Sequence, residues 1–270
     1  MLRQRVNGYD MPYLQLGTGQ PLVCVHGSLG DFRTWSPVMG PLSKQNRLIL
    51  PSLRHYFPAH WDGNGPGFTI AQHVEDVIAF LVALGEPVHL LGHSRGGHIA
   101  FRVAQHRPDL LRSLVLAEPG GTLDASLTAD ATTPPLGAPS YTLTAAAMVA
   151  DGDVEGAMEH FIDAIDGSGS WRSQPEAVRQ EFRDNAFTVL GQRNEGRLPY
   201  TRVEAEGIMV RCLLVGGDRT PGILPLIMRA LAAHIPSAQT EILANATHFM
   251  FRQAPVEFSA AVTRFLASAT

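Results

Sequence analysis

The chain has 270 residues, of which 45% are hydrophobic and 17% are charged, so it can bury one large core and is too apolar for a disordered protein. Its formal net charge of −4 provides no positive field for nucleic acid or an anionic membrane surface, and we expect neither as a partner. No apolar run approaches the roughly 18 to 20 residues of a membrane span, and the start MLRQRVNGYD lacks the apolar stretch of a signal peptide, so the sequence favours the cytoplasm.

The first part of the chain alternates short apolar strands with amphipathic helices. The run PLVCV at 21–25 predicts a buried strand, because it ends abruptly in the turn residues of HGSLGDF. A helix is predicted at 69–84, where apolar residues recur at helical spacing and Gly85 follows as a C-cap. The other elements predicted in this part are strands at 2–6, 11–16, 47–51, 88–92 and 113–117 and a helix at 95–106.

Residues 120–206 interrupt this alternation. A Pro/Thr/Ala-rich stretch at 128–140 leads into irregular helical pieces, which we interpret as an inserted helical cap. The alternation then resumes, with predicted strands at 211–217 and 239–243 and predicted helices at 223–234 and 255–268. The predicted organisation is a single globular unit with a core at 1–119 and 207–270 and a cap at 120–206.

Apolar strands that show little polar alternation indicate a parallel sheet covered by helices on both faces. We therefore predict an α/β fold with a mostly parallel, doubly wound sheet of about eight strands, helices on both faces and the inserted helical cap. In such a sheet ligands bind at the carboxyl ends of the strands, so we expect the functional site at that edge.

The clearest chemical motif lies between a predicted strand and a predicted helix. GHSRG at 92–96 fits G-x-S-x-G, in which the tight turn from strand to helix holds the serine in a strained conformation. The flanking glycines remove side chains that would collide with neighbouring backbone, so the hydroxyl rises above the sheet edge. A serine that merely caps a helix would not require glycines on both sides. We therefore predict that Ser94 is a nucleophile.

With this motif the chain resembles the α/β-hydrolase family, whose other marks are an HG dipeptide after an early strand and a late histidine loop. Both are present, as His26-Gly27 after PLVCV and as ATHFMFRQAP around His248. A hydroxyl is a poor nucleophile until a base takes its proton. The resemblance implies that His248 is this general base, because it follows EIL at the end of the last predicted strand.

Two residues are candidates for the acid that would orient His248. The family usually places this acid in a G-x-x-D-like turn after the strand that here is RCLLVGG, but aligning GDRTP at 217–221 puts Thr220 at the acid's position. Asp218 would serve if the register slipped. Glu118, directly after the strand SLVLA, is the preferred candidate, because certain dehalogenases and lactonases of the family supply the acid from this strand end.

The same resemblance assigns the oxyanion hole to main-chain N–H groups, namely those of Ser28 and Arg95. His26 is then a structural residue, whose ring hydrogen bonds hold the loop that carries Ser28. Each oxyanion donor contributes about 2.7 to 4 kcal/mol to catalysis in comparable sites.

The loop after the predicted strand RLIL departs from the family pattern. The family commonly has P-D-x-R-G-x-G there, whereas this chain reads PSLRHYFPAHWDGNGPG, with Ser52 and His55 in place of Asp and Gly. We expect His55 and Tyr56 of this loop to bind substrate, together with Leu29 of the HGSLG loop. A loop that merely packs on the surface is the alternative.

Motifs for other chemistries are absent from the sequence, which contains no H-E-x-x-H, C-x-x-C or G-x-x-x-x-G-K-[ST]. We therefore expect no metal and no cofactor. Cys24 and Cys212 lie in apolar runs and are predicted to be reduced core residues.

The predicted activity is hydrolysis of a carboxylic ester or lactone through an acyl-enzyme intermediate, with a small-molecule ester or lactone as the partner. Carbon–carbon bond hydrolysis or other Ser–His chemistry on the same fold is an alternative, as is a non-catalytic relative that only binds a ligand. The sequence is also compatible with a homo-oligomer.

Overall fold

The computed structural model describes residues 1–128 and 140–268 of the chain. Its central sheet contains the strands β1 (Leu2–Val6), β2 (Tyr9–Leu16), β3 (Gln20–Val25), β4 (Asn46–Pro51), β5 (Val88–His93), β6 (Leu111–Ala117), β7 (Cys212–Gly217) and β8 (Ala238–Leu243). The order of these strands is β1-β2-β4-β3-β5-β6-β7-β8. The β1–β2 and β2–β4 pairs are antiparallel, and the other pairs are parallel. The predicted mostly parallel sheet of about eight strands is confirmed.

The helices in the described ranges are α1 (Ser36–Ser43), α2 (Ile70–Leu84), α3 (Arg95–His106), α4 (Ser140–Ala150), α5 (Val154–Asp166), α6 (Ser170–Ser173), α7 (Glu176–Asp184), α8 (Thr188–Gln192), α9 (Arg202–Glu206), α10 (Leu224–His234), α11 (Met250–Gln253) and α12 (Pro255–Ala267). The ends of α2 show how local chemistry sets these bounds. The Thr69 side chain accepts a hydrogen bond from Gln72 N at the start, and Gly85 ends the helix with a φ of 76°.

Helices cover both faces of the sheet, which is why its central strands are apolar throughout. Leu90 and Leu91 are adjacent on β5, and both are fully buried, yet they belong to hydrophobic clusters on opposite faces. Phe80 of α2 and Phe101 of α3 pack in the first cluster. Phe258 of α12 packs in the second. A strand buried on both faces therefore shows no polar alternation.

Helices α4 to α9 all lie between β6 and β7 in the chain. A parallel bridge from Leu123 to Tyr200 joins the two ends of this interval. The Pro/Thr/Ala-rich stretch noted at 128–140 lies outside the described residues, apart from Thr128 and Ser140. The division of the chain into a core and a cap stays a prediction.

Cys24 on β3 and Cys212 on β7 are fully buried, and neither forms a disulfide bond, as predicted. Burial raises the pKa of both thiols, so they stay protonated. Among residues 1–128 and 140–268, no helix combines the length and the apolar character that crossing a bilayer would require.

Candidate active site

The candidate residues converge at the carboxyl ends of five strands. Ser28 follows β3, Ser94 follows β5, Glu118 follows β6, Thr220 follows β7 and His248 follows β8. This is the edge at which the sequence predicts a ligand site, because side chains that leave neighbouring parallel strands meet there.

Ser94 forms the turn between β5 and α3, with a φ of 52° and a ψ of −119°. Such a conformation costs on the order of 1–3 kcal/mol and persists only where the surrounding structure enforces it. A Cβ on Gly92 would lie 2.3 Å from Gly96 O, and one on Gly96 would lie 2.3 Å from the carbonyl oxygens of Val25 and His26. Close packing therefore requires both glycines of the motif.

His248 is hydrogen-bonded to Glu118 at the base of the site. The distance from His248 Nδ1 to Glu118 Oε2 is 2.8 Å, and both side chains are 1% exposed. The other carboxylate oxygen, Oε1, accepts hydrogen bonds from Gly217 N at 2.9 Å and Thr220 Oγ1 at 2.6 Å. With Nδ1–H donating to the carboxylate, Nε2 of the ring carries a lone pair and can act as a base.

Of the two candidate acids, the structure brings Glu118 to the histidine and not Asp218. Asp218 is exposed, and its carboxylate makes no hydrogen bond with the described part of the chain. Thr220, which occupies the position where the family usually has its acid, donates to Glu118 instead. The two positions meet because β6 and β7 are neighbours, with Ala117 opposite Val215.

Glycines after β7 make room for the histidine loop. A Cβ on Gly217 would lie 2.2 Å from Ala246 O, and a Cβ on Gly216 would lie 3.1 Å from Glu118 Oε1. The pair of glycines that ends RCLLVGG therefore lets both the loop and the carboxylate approach the strand. Sequence reasoning missed this role, although the two consecutive glycines at a strand end were a visible signal.

His93 also holds His248 in place, through a hydrogen bond and a contact between the two rings. Its Nε2 donates to His248 O at 2.9 Å, and the two ring centroids are 4.4 Å apart. Burial lowers the pKa of His93 well below its ordinary value, so the ring is neutral. His248 is thus held through its main chain without a second positive charge beside it.

The loop after β3 lies against Ser94. A Cβ on Gly27 would lie 3.0 Å from Ser94 Cβ, so only a glycine permits this approach. The His26 ring holds the loop, as expected: its Nδ1 donates to Gly27 O at 2.9 Å and its Nε2 accepts from Leu53 N at 3.0 Å. Burial lowers the pKa of His26 to about 4, which keeps the ring neutral.

Ser28 and Arg95, the two residues predicted to supply oxyanion donors, flank Ser94. Arg95 is the first residue of α3, where the N–H groups have no acceptor within the helix. Ser28 lines the same cavity as Ser94, and its hydroxyl donates to Gln192 Oε1 at 2.7 Å. Gln192 therefore joins the loop after β3 to helix α8.

A cavity of about 390 Å³ opens above Ser94 and His248. Its size is in the range of small-molecule sites. Most of its apolar lining comes from the segment between β6 and β7 and from the start of α10, namely from Leu123, Tyr141, Leu143, Phe161, Ile165, Ile223 and Leu224. Sequence reasoning missed these residues, because no motif marks them and only the packing of distant segments brings them together.

The three residues predicted to bind substrate do not line this cavity. Leu29 and Tyr56 are fully buried in the hydrophobic core. His55 stacks on Trp61, with ring centroids 4.6 Å apart. The structure therefore does not bring these three side chains to the cavity, and their role in substrate binding stays a prediction.

The Arg95 side chain points away from solvent into a buried ionic cluster. It is 1% exposed, and its Nε donates to Glu195 Oε2 at 2.7 Å. Its Nη2 donates to His73 Nδ1 at 2.8 Å, and His73 is neutral because burial lowers its pKa well below the ordinary value. Burial alone would raise the pKa of Glu195, but Arg95 and Arg197 outweigh it and hold this pKa below its ordinary value.

Comparison with known proteins shows a match to one protein family. The model of the "Alpha/beta hydrolase family" matches residues 22–261. An uncharacterized protein from Mycobacterium tuberculosis is 26% identical over 97% of this chain and 79% of its own length.

Two solved structures are similar over nearly the whole chain. The enol-lactonase from Burkholderia xenovorans has a TM-score of 0.82 and 20% identity, covering 98% of this chain and 99% of its own. The thermophilic esterase from Thermogutta terrifontis has a TM-score of 0.77 and 21% identity, covering 99% of this chain and 97% of its own. At these identities the likeness shows the fold alone.

Proposed function

This chain belongs to the alpha/beta hydrolase family, and from that premise we propose that it is a serine hydrolase that cleaves a carboxylic ester or lactone through an acyl-enzyme intermediate. The observation that carries the proposal is the buried His248–Glu118 pair on the cavity that Ser94 also lines. A strained serine, a histidine with a free Nε2 and a buried carboxylate are the three groups that nucleophilic acyl transfer needs.

In the proposed acylation step, His248 Nε2 takes the hydroxyl proton of Ser94 while Oγ attacks the substrate carbonyl. The N–H groups of Ser28 and Arg95 stabilise the negative charge that develops on the carbonyl oxygen. His248 then passes the proton to the departing alkoxide, so the alcohol leaves neutral and the acyl group stays on Ser94. In a lactone the alcohol remains attached to the acyl chain.

The deacylation step repeats these roles with water. His248 takes a proton from the water, the hydroxide attacks the acyl carbonyl, and the same proton returns to Ser94 as the carboxylic acid is released. Glu118 stays ionised throughout and stabilises the imidazolium that forms twice in the cycle. Its three hydrogen bonds support this role, because they keep the buried carboxylate in one orientation.

The Ser94 side chain makes no hydrogen bond with any described residue, and Ser94 lines the cavity. In ligand-free enzymes the nucleophile and its base are often too far apart for a good hydrogen bond, and they approach when substrate binds. We propose that the segment 120–206 acts as the cap that shapes this pocket, since it supplies most of the apolar lining.

Hydrolysis of a short-chain aryl ester by Ser94→Ala tests the proposal, with Ser173→Ala as the matched control. Ser173 is exposed and lies outside the cavity lining. We expect Ser94→Ala to lose about 10³-fold or more in kcat/KM with unchanged circular dichroism, and Ser173→Ala to match the wild type.

Labelling with a fluorophosphonate, read by mass spectrometry, gives an independent test because it needs no turnover. We expect the label on the tryptic peptide that contains Ser94, and none on the Ser94→Ala variant. A wild-type rate in Ser94→Ala, or a wild-type protein that takes up no label, would refute the proposed role of Ser94.

A further inference from the structure

Arg197 brings an unpaired guanidinium nitrogen to the candidate cavity. Its Nε donates to Glu195 Oε1 at 2.8 Å, and its Nη2 donates to the same oxygen. Nη1 has no hydrogen-bond partner among the described residues, and it is not buried. Arg197 itself lines the cavity together with Ser94 and His248. The salt bridge with Glu195 therefore fixes the guanidinium and leaves one nitrogen to face a ligand.

Gly120 allows this nitrogen to come close to the nucleophile turn. A Cβ on Gly120 would lie 3.3 Å from Arg197 Nη1, 3.3 Å from Ser94 C and 3.4 Å from Arg95 N. Gly120 N also donates to Ser94 O at 2.8 Å, which fixes the distance between the two segments. Gly120 thus lies between Nη1 of Arg197 and the main-chain N–H group of Arg95, which we assign to the oxyanion hole.

The described lining of the cavity carries more cationic than anionic side chains. Glu195 is the only acidic side chain on the described lining, and it is shared between the guanidinium groups of Arg95 and Arg197. Arg193 adds another cation to the lining. Arg193 is exposed and is screened by solvent, whereas Arg197 is partly buried beside the buried Glu195, so solvent screens the charge of Arg197 less.

We propose that the cavity selects esters or lactones that carry a second, ionised carboxylate a few carbon atoms from the scissile carbonyl, and that Arg197 binds this carboxylate. The inference rests on the proposed function, since it names the substrate class for the same site. Arginine suits the task because its planar fork matches a carboxylate and stays charged at any physiological pH. The apolar remainder of the lining then contacts the rest of the substrate.

The test compares two esters of matched shape. One is 4-nitrophenyl hydrogen glutarate, which is an anion at neutral pH, and the other is its uncharged methyl ester. We expect the wild type to have the higher kcat/KM for the anion. Arg197→Gln should lower this preference by about 10- to 100-fold, because a hydrogen bond to a charged group is lost. The readout is the ratio of the two kcat/KM values, because a general effect of the substitution on the site changes both rates alike.

Two further variants separate specific binding from net charge. Arg172→Gln removes one positive charge at a side chain that is 77% exposed, and it should keep the wild-type preference. Arg197→Lys keeps the charge without the planar fork and should show an intermediate preference. Equal kcat/KM for the two esters in the wild type, or the same preference in Arg197→Gln, would overturn the inference.

A binding measurement distinguishes failure of this inference from failure of the proposed function. Glutarate is titrated by calorimetry into Ser94→Ala and into Ser94→Ala with Arg197→Gln. We expect binding to the first protein and a loss of about 10-fold or more in affinity in the second. Equal glutarate affinity in the two proteins would overturn the role of Arg197, whether or not Ser94 proves to be the nucleophile.

Discussion

Replacing Glu118 with glutamine tests how the candidate site holds its histidine. The two side chains have nearly the same shape, so the change removes one charge and converts one oxygen into an NH₂ group. Gly217 N and Thr220 Oγ1 both donate to Oε1. An N–H group can only donate, so Gly217 forces the remaining oxygen of glutamine into the Oε1 position and leaves the NH₂ group facing His248 Nδ1.

The consequence follows from the two forms of a neutral imidazole. A nitrogen that faces an NH₂ donor must accept, so the ring proton moves to Nε2 and the base towards Ser94 is lost. In serine protease triads, the corresponding change of aspartate to asparagine lowers kcat by about 10⁴-fold. We expect Glu118→Gln to lower kcat by about 10³- to 10⁴-fold on an aryl ester.

Asp218→Asn is the matched control, because it makes the same chemical change at the other candidate acid. Asp218 is exposed and its carboxylate has no hydrogen-bond partner among the described residues, so we expect wild-type kcat. Glu118→Gln should keep its fold, since the donors at Gly217 and Thr220 retain an acceptor. A kcat for Glu118→Gln within about tenfold of the wild type, or an equal loss in Asp218→Asn, would refute the assignment of the acid.

Two predictions concern stability. Gly96→Ala would place a Cβ 2.3 Å from two carbonyl oxygens, so we expect a cost of about 1–3 kcal/mol or more and a lower Tm. Gly40→Ala is its control, because a Cβ at this position of α1 meets nothing within 4 Å and should leave Tm unchanged or raise it; equal Tm in the two variants would contradict the packing argument. Burial lowers the pKa of His26 from 6.5 to about 4, so the unfolded chain binds the proton more readily than the folded chain. The free energy of unfolding should therefore fall as the pH drops below 6.5. The contribution of His26 to this loss should be about 3 kcal/mol near pH 4. Urea denaturation at pH 6.5 and 4.5 measures the summed loss from His26 and the other buried histidines whose pKa is lowered, and an NMR signal of the His26 ring that titrates near pH 6.5 would contradict the contribution of His26.

Several elements of this protein could be predicted because their signals are local. GHSRG at 92–96 needs glycines where the chain passes within van der Waals contact of its neighbours, and the structure shows those contacts directly. Helix α2 begins at Thr69 and ends at Gly85 because the capping chemistry resides in those residues. The apolar strands β5 and β7 predict a sheet covered on both faces, and both are buried throughout.

The pocket could not be predicted in the same way. Tyr56 and Leu29 are close to motif residues in the sequence, yet both side chains lie in the core. Arg197 and Glu195 belong to an irregular segment without a motif, and only the tertiary structure brings this segment to the cavity that Ser94 lines. The direction in which a side chain points, and its distance from residues far away in the chain, depend on the tertiary structure.

The sequence by itself determined the sheet, the strained turn at Ser94 and the late histidine, because strand burial and turn geometry leave a pattern in neighbouring residues. Only the tertiary structure decided which carboxylate reaches His248. Glu118 and Asp218 both follow apolar strands, but β6 and β7 are adjacent in the sheet, and Thr220 and Gly217 turn their donors towards Glu118. A buried carboxylate is stable where donors surround it, and no single segment of the chain supplies all three.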